Sequence, residues 1–403
     1  MSPTGFSISD RPRIIVLGYI IRGPLGGLAW HHLQYVLGLR RLGCDVTFLE
    51  DSDDYPSCSH PVEGTLDVDP SEGLQFAAET FSRIGFEKWS YYDAHTSRWA
   101  GPHADRARES CRAADLVLNL SGVNPLRPWF LEIPVRVLVD TDPLFTQIRH
   151  LDEPSALSSA RAHTAFFTFG ENIARGLSST PDDGLPWQAT RQPIDLDSWP
   201  VTEGPISGPF TTVMQWESYR TRKFGGLVYG MKADSFAMIE DLPSKVDARL
   251  ELALGGATAP RDRLRCLGWI LRDPAGPTRS TVAFQRYLQE SFAEFTIAKQ
   301  GYVASQCGWF SERSANYLAC GRPVVVQDTG FTLGMETGLG VLAFRDIESA
   351  VEAIEAVQSR YLAHCRAARE IAENYFDARA VLSSLIERAM ATRLWSTNQE
   401  ISG

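Results

Sequence analysis

The stretch 306–330, QCGWFSERSANYLACGRPVVVQDTG, decides how this chain reads. Small and polar residues come first, then a helix-length segment. Gly321, Arg322 and Pro323 follow, then the apolar run Val324, Val325 and Val326, then a polar turn. That order predicts loop, helix, turn, buried strand and functional loop. Ser311, Arg313 and Ser314 stand where the helix begins. A helix start offers free backbone N–H groups and the positive end of the dipole, which suit an anion. Arg313 adds a planar fork matched to phosphate. The expected ligand here is a diphosphate.

Upstream, residues 13–18 (RIIVLG) form a β-branched run ending in glycine, the pattern of a buried parallel strand. A flexible loop with Gly26 and Gly27 follows. An amphipathic helix pattern over 28–42 carries His31 and His32, and a second strand covers 45–50. Strand, glycine loop, helix and strand open a Rossmann-like half. The loop GPLGG lacks the GxGxxG spacing, and no GK[ST] follows it, which sets aside dinucleotide and Walker A readings. On this segment alone the glycines read equally well as a tight turn or as a ligand-facing approach.

Strand candidates over 115–120, 135–140 and 165–169 end in polar residues, where ligands gather in an open parallel sheet. Residues 51–112 are polar, aromatic-rich and poorly periodic. Helices and loops are expected there, with Trp89, Tyr91, Tyr92 and Trp99 packed under an insertion in preference to lining an acceptor cleft. Asp140 and Asp142 are spaced to hold Mg²⁺ against a diphosphate. Pro143 directly after them favours strand-end capping and helix initiation, so no metal ligand is assigned. The Pro-, Gly-, Ser- and Asp-rich stretch 178–209 marks a domain boundary. A second strand series starts at 211. Arg220, Arg222 and Lys223 crowd the loop after it, and Lys232 opens a helix-like segment. Such a cluster is ordinarily solvated surface, but beyond a strand end it can face phosphates. The expected divisions are 1–195, an acceptor domain; 196–209, a linker; 210–375, a nucleotide-sugar domain; and 376–403, a C-terminal helix and tail.

The chain has 403 residues, enough for two or three domains. Its net charge of −10 argues against non-specific nucleic-acid binding. Seven cysteines without CxxC or zinc spacing read as reduced thiols of a cytoplasmic protein. No apolar run is long enough to span a bilayer, and the first ten residues lack a signal-peptide core.

Two Rossmann-like halves, a Pro/Gly linker and terminal helices resemble the GT-B glycosyltransferases. The resemblance implies an α/β fold of two Rossmann-like domains, with C-terminal helices packing back across the cleft. Gly26, Gly27 and His31 look like the GGxxxH loop and first helix of the retaining, sucrose-synthase-like group. Lys232 is similar to that group's phosphate-binding lysine. Leu318 to Val326 resembles its AxGxPVV segment. Two glutamates eight positions apart usually precede that segment; their positions hold Gly308 and Asn316 here, so roles tied to them do not transfer. Cys307, Gly308, Trp309 and Ser311 are similar to the HCGWNS box of plant inverting enzymes, but Gln306 and Phe310 depart from it. The GWFSxRS-like segment before AxGxP looks nearest to bacterial proteins of the spore-maturation CgeB kind.

The resemblance implies a nucleotide-sugar as co-substrate, an unidentified acceptor and no further cofactor. The donor would meet Gly26, Gly27, Arg220, Lys223, Lys232, Ser311, Arg313, Ser314, Asp328 and Thr329, and His31 would be either the catalytic base or a structural histidine of the first helix. A GT-B nucleotide-sugar epimerase and an inactive GT-B binding protein are the alternatives.

Overall fold

The computed structural model describes residues 11–53, 58–60 and 65–401. The polar segment 1–10 and the last two residues of the tail lie outside the described residues.

Arg13–Leu17 becomes a central strand because its β-branched side chains are buried on both faces. It pairs in parallel with Asp45–Asp51 on one side and Leu116–Leu120 on the other. The chain moves outward to Trp89–Asp93, then returns beside the first strand and runs out through Val135–Asp140, Ala165–Thr168 and Gln188–Ala189. This reversal places a switch point beyond Leu17 and Leu120. A second, six-stranded parallel sheet repeats the plan. Phe210–Gln215 lies between Leu250–Gly255 and Ala293–Thr296, with Val324–Gln327 and Val341–Phe344 beyond.

Helix Tyr361–Phe376 packs on the second domain against Glu312–Ala319. The chain breaks at Asp377, and Ala378–Ile401 crosses to pack on the first helix, Gly26–Arg41. Val36, Leu39, Tyr317, Phe376, Leu382 and Leu385 therefore share one continuous core.

The structure differs from the sequence reading at three places. Gly26 and Gly27 are the first residues of the first helix, not its preceding loop. Within 51–112, Trp89–Asp93 extends the first sheet in parallel beside Asp45–Asp51, and Arg98–Ala100 adds an antiparallel edge strand. Their alternation was hidden because both faces are covered: Trp89 and Tyr91 enter the core, while Tyr92 and Trp99 pack with Trp129. The aromatics are thus packing residues. Part of the Pro/Gly-rich boundary also belongs to the first sheet, through Gln188–Ala189, and Trp199 is buried against Trp30 at 4.9 Å.

Candidate functional site

In the first domain, the loop after Arg13–Leu17 is closed to anions by the protein itself. The backbone N–H groups of Ile20, Ile21 and Arg22 all donate to the Glu50 carboxylate, at 2.7, 2.8 and 2.6 Å. Burial pushes the Glu50 carboxyl up to about 7, despite those three donors and the nearby Arg22 charge. Amides that a Rossmann loop offers to phosphate are occupied here, so a phosphate site must be sought on the second domain.

There, the carboxyl ends of Phe210–Gln215 and Ala293–Thr296 meet the start of Glu312–Ala319. Ser311 is the N-cap residue in extended conformation, and it is buried. Ser314 is buried in the first turn, and its hydroxyl has no partner among the described residues. A narrow crevice above is lined by Thr296, Ala298, Trp309, Ser311, Arg313 and Thr329.

Arg313 is held from three sides. It donates to Glu294 at 2.7 Å, to the Val213 carbonyl at 2.7 Å and to Thr296 at 2.8 Å. Glu294 is fully buried. The guanidinium therefore fastens two strands and balances a buried carboxylate, so it is not the free phosphate fork expected from the sequence. Lys232, opening helix Lys232–Phe236, is different. Its ammonium has no hydrogen bond or ion pair among the described residues. Burial first, then the charges of Arg313 and Lys299, push its pKa well below the ordinary lysine value.

His31 lies on the opposite wall. Its Nδ1 is 3.0 Å from Glu312 Oε2, across the domain boundary. The imidazole is 4% exposed, and its buried Nε2 has no partner among the described residues. Burial pushes the Glu312 carboxyl up, but the charge and hydrogen bond of His31, with Arg313 behind, hold it below the usual range. His32 points elsewhere. Its Nδ1–H donates to the Leu28 carbonyl at 2.8 Å, and its Nε2 accepts from the Tyr19 N–H at 3.1 Å. That fixes a neutral tautomer, and burial lowers its pKa strongly.

Asp142 leaves its own domain. Its carboxylate accepts from Lys299 at 2.8 Å and from the hydroxyls of Tyr219 and Tyr302. Lys299 also lies over the Tyr219 ring, 4.3 Å from its centroid. Asp140 stays behind, accepting from Thr146, Gln147, Thr168 and the Asp142 N–H at 2.7 to 3.1 Å. It thus ties the strand end to side chains in the first turn of the helix Phe145–Asp152, whose N-cap is Leu144 and not the Asp140–Pro143 segment. Among the described residues, no group of three His, Cys, Asp or Glu is placed to hold a metal ion.

The remaining expected residues are spread around this centre. The close approach that Gly26 and Gly27 permit is to the other domain: a Cβ on Gly26 would lie 2.1 Å from the Ser280 carbonyl oxygen, and one on Gly27 2.9 Å from the Phe284 ring. Asp328 is buried and accepts from Arg345 at 2.8 Å and from the Gly330 N–H at 2.8 Å. The Thr329 hydroxyl donates to the Trp309 carbonyl. Both side chains pin the turn. Arg220 and Lys223 are exposed, the latter on the hairpin strand Arg222–Phe224, whose Arg222 reaches Glu153 at 3.0 Å.

Sequence reasoning missed Glu312, Lys299 and Tyr219 as members of this site. Glu312 stands between Ser311 and Arg313, so its place on the helix start was visible, but its His31 partner lies in the other domain. The sequence also gave no warning that Asn172 crosses over, donating to the Gln306 and Gly330 carbonyls at 2.9 and 3.0 Å. Gly308, with φ of +82°, lets the loop pass Asn172 closely.

Comparison with solved structures fixes the fold. The chain is similar to an alpha-glucosyltransferase in complex with UDP-glucose and DNA containing an abasic site. The TM-score is 0.56 at 13% identity, covering 94% of this chain and 98% of that one. It is also similar to Anabaena Alr3699/HepE in complex with UDP and glucose, with TM-score 0.53 at 11% identity, covering 94% and 99%. AviGT4, a glycosyltransferase involved in avilamycin A biosynthesis, aligns with TM-score 0.50 at 13% identity, covering 95% and 98%. No family model and no curated protein matches the sequence. The chain has the GT-B fold, over nearly its whole length.

Proposed function

We propose that this chain is a glycosyltransferase that moves a sugar from a nucleoside-diphosphate sugar to an acceptor hydroxyl without a divalent metal. The observation that carries this is Lys232: a half-buried ammonium with no anionic partner among the described residues, beside Arg313 and Lys299, at the strand ends next to a helix start. A diphosphate is the group that such a place lacks. Lys232 and the N–H groups at Ser311 to Ser314 would neutralise charge growing on the leaving phosphate. Arg313 would contribute its field while staying bonded to Glu294. Asp140 and Asp142 are already engaged by protein donors, which supports a metal-independent reaction.

His31 is the general base in this reading. Glu312 accepts the Nδ1–H, leaving Nε2 free to take the acceptor proton. The acceptor oxygen then bonds to the anomeric carbon as the carbon–phosphate oxygen bond breaks, and the nucleoside diphosphate leaves with the electron pair. The neighbours crystallised with UDP and UDP-glucose support a uridine nucleotide as the first to try. One of them is also in complex with DNA; the −10 charge here speaks against that partner. The GWFSxRS-like segment supports a place near the CgeB kind. Seven free cysteines support a reducing, cytoplasmic setting, and among the described residues no helix is long and apolar enough to cross a membrane.

A specific observation favours a second reading, an inactive binding protein: Gly308 and Asn316 stand where glutamates are expected, and Asn316 accepts from Gln34 at 3.0 Å. Calorimetry with UDP, GDP, dTDP, ADP and CMP, with and without Mg²⁺, tests the proposal. Metal-independent binding of one diphosphate, followed by turnover of its sugar donor, is expected. Binding without turnover favours the second reading, and binding of none removes the first.

A further inference from the structure

Outside the donor cleft, the first domain holds a cavity of about 200 Å³ between the loop 121–126 and the helices Phe145–Asp152 and Pro154–Arg161. A water molecule's share of liquid volume is roughly 30 Å³, so the space is far larger than one trapped water needs. Its floor is Asn119, fully buried at the end of a central strand. The orientation of that amide is fixed by its neighbours. Nδ2 donates to the Asn124 carbonyl at 3.0 Å and to His163 Nε2 at 3.1 Å. His163 can accept there because its Nδ1–H donates to the Ala160 carbonyl at 2.9 Å, and burial lowers its pKa to about 4. Asn119 Oδ1 is therefore an acceptor with no partner among the described residues. On the same lining, Arg149 has a buried Nε–H, a donor with no partner among the described residues.

A buried polar group left dry loses the hydrogen bond it would make to water. Together the two groups suit a ligand that both donates and accepts. A carboxylate has no proton to give Asn119, and an ammonium has no lone pair for Arg149. A hydroxyl supplies both. His150 pairs with Asp183 at 2.7 Å and Asp140 is surrounded by donors, while Asp53 and Arg149, of opposite sign, are lining charges without an ion pair among the described residues. A neutral molecule fits that balance.

We propose that this cavity binds a small polyhydroxylated molecule of about monosaccharide size. Its position sets it beside a segment that reaches the other domain. Asp140 lines it, and Asp142, two residues on, reaches Lys299 in the other domain. The ligand could be a sugar unit of the acceptor or a free sugar, and the chemistry of recognition is the same.

The test uses saturation-transfer NMR and calorimetry on the full chain, without nucleotide, with glucose, galactose, mannose and N-acetylglucosamine as probes. Saturable binding of at least one is expected. Ala156→Trp, which fills the space without removing a bond, and Arg149→Met are each expected to raise its Kd at least tenfold while circular dichroism and UDP affinity stay as in the wild type. Absence of saturable transfer from all four sugars to the folded protein overturns the proposal, as does an unchanged Kd in both variants. Adding the sugar donor separates the sources: glycosylation of the bound sugar makes it acceptor, and its recovery unchanged makes it a separate ligand. Either keeps the cavity as a site. Because binding is read without nucleotide, failure here leaves the donor assignment standing, and the reverse.

Discussion

His31 and Glu312 meet at 3.0 Å across the boundary between the two domains, one from the first turns of the first helix and the other from the first turn of Glu312–Ala319. The pair exists only while the domains are docked. The imidazole's free Nε2 and its carboxylate-bound Nδ1 belong to a base whose tautomer is set by its partner. His31→Gln is expected to lower kcat about 100-fold, within the range for a positioned base, with UDP affinity within about threefold of the wild type. Glu312→Gln should keep binding and shift the acid limb of the kcat profile. A Glu312→Gln profile that overlays the wild type would falsify the positioning role.

Lys232 carries a linked prediction. Its folded pKa lies well below the unfolded value of about 10.4, so the folded state holds fewer protons between the two. Its penalty on stability is largest below the folded pKa and vanishes as pH rises above the unfolded one. Lys232→Met should remove that alkaline gain in melting temperature. It should also weaken UDP binding at least tenfold, about 1.4 kcal/mol. Binding of a diphosphate favours the charged form, so calorimetry at alkaline pH, in buffers of different ionisation enthalpy, should register proton uptake in the wild type and none in the variant.

Arg313→Ala does not cleanly probe phosphate binding, because it strands Glu294. Removing one partner of a buried ion pair costs about 3–5 kcal/mol. The single variant should unfold early in urea. The double variant Arg313→Met with Glu294→Gln should recover most of that loss. If the double variant is no more stable than the single, the pairing described here does not govern this core.

Glu50 titrates in the opposite sense to Lys232. Its carboxyl is raised to about 7, so the folded state holds more protons than the unfolded one between the ordinary value and 7. The stability it contributes is full below the unfolded pKa and is lost as pH rises through 7. Thermal melts of the wild type should fall across that window, and Glu50→Gln should flatten the slope. A variant slope equal to the wild type would assign the titration to another group.

Asp142→Asn removes a charge that bridges the domains. Small-angle scattering should show a wider distribution of domain separations, more so at low salt where the pair is least screened. Nucleotide binding should remain independent of Mg²⁺. A requirement for Mg²⁺ in the wild type that disappears in Asp142→Asn would instead make this carboxylate a ligand.

Much of the fold was legible. The central parallel strands, such as Leu116–Leu120 and Val135–Asp140, are apolar runs ending at polar residues, and a buried strand announces itself this way without its neighbours. The edge hairpin Trp89–Asp93 with Arg98–Ala100 was not legible, because aromatics cover both of its faces and erase the alternation. The helix start at Ser311 was legible from local order. The pairing of Arg313 with Glu294 and of His31 with Glu312 was not, since each joins residues whose proximity depends on how sheets and domains are stacked. Lys232 was legible as a cation, but its lack of an anion is a property of the assembled site.

The break at Asp377 has a consequence for how the molecule can be divided. Helix Ala378–Ile401 supplies Leu382, Leu385 and Ala389 to the core under the first helix, while the rest of the second domain precedes it in the chain. The first domain is therefore built from both ends of the polypeptide. A single cut in the linker would yield one fragment with a bare apolar face and another trailing an orphaned helix. Independent folding of the first domain would require residues 378–392 to be carried with it, by fusion or by circular permutation.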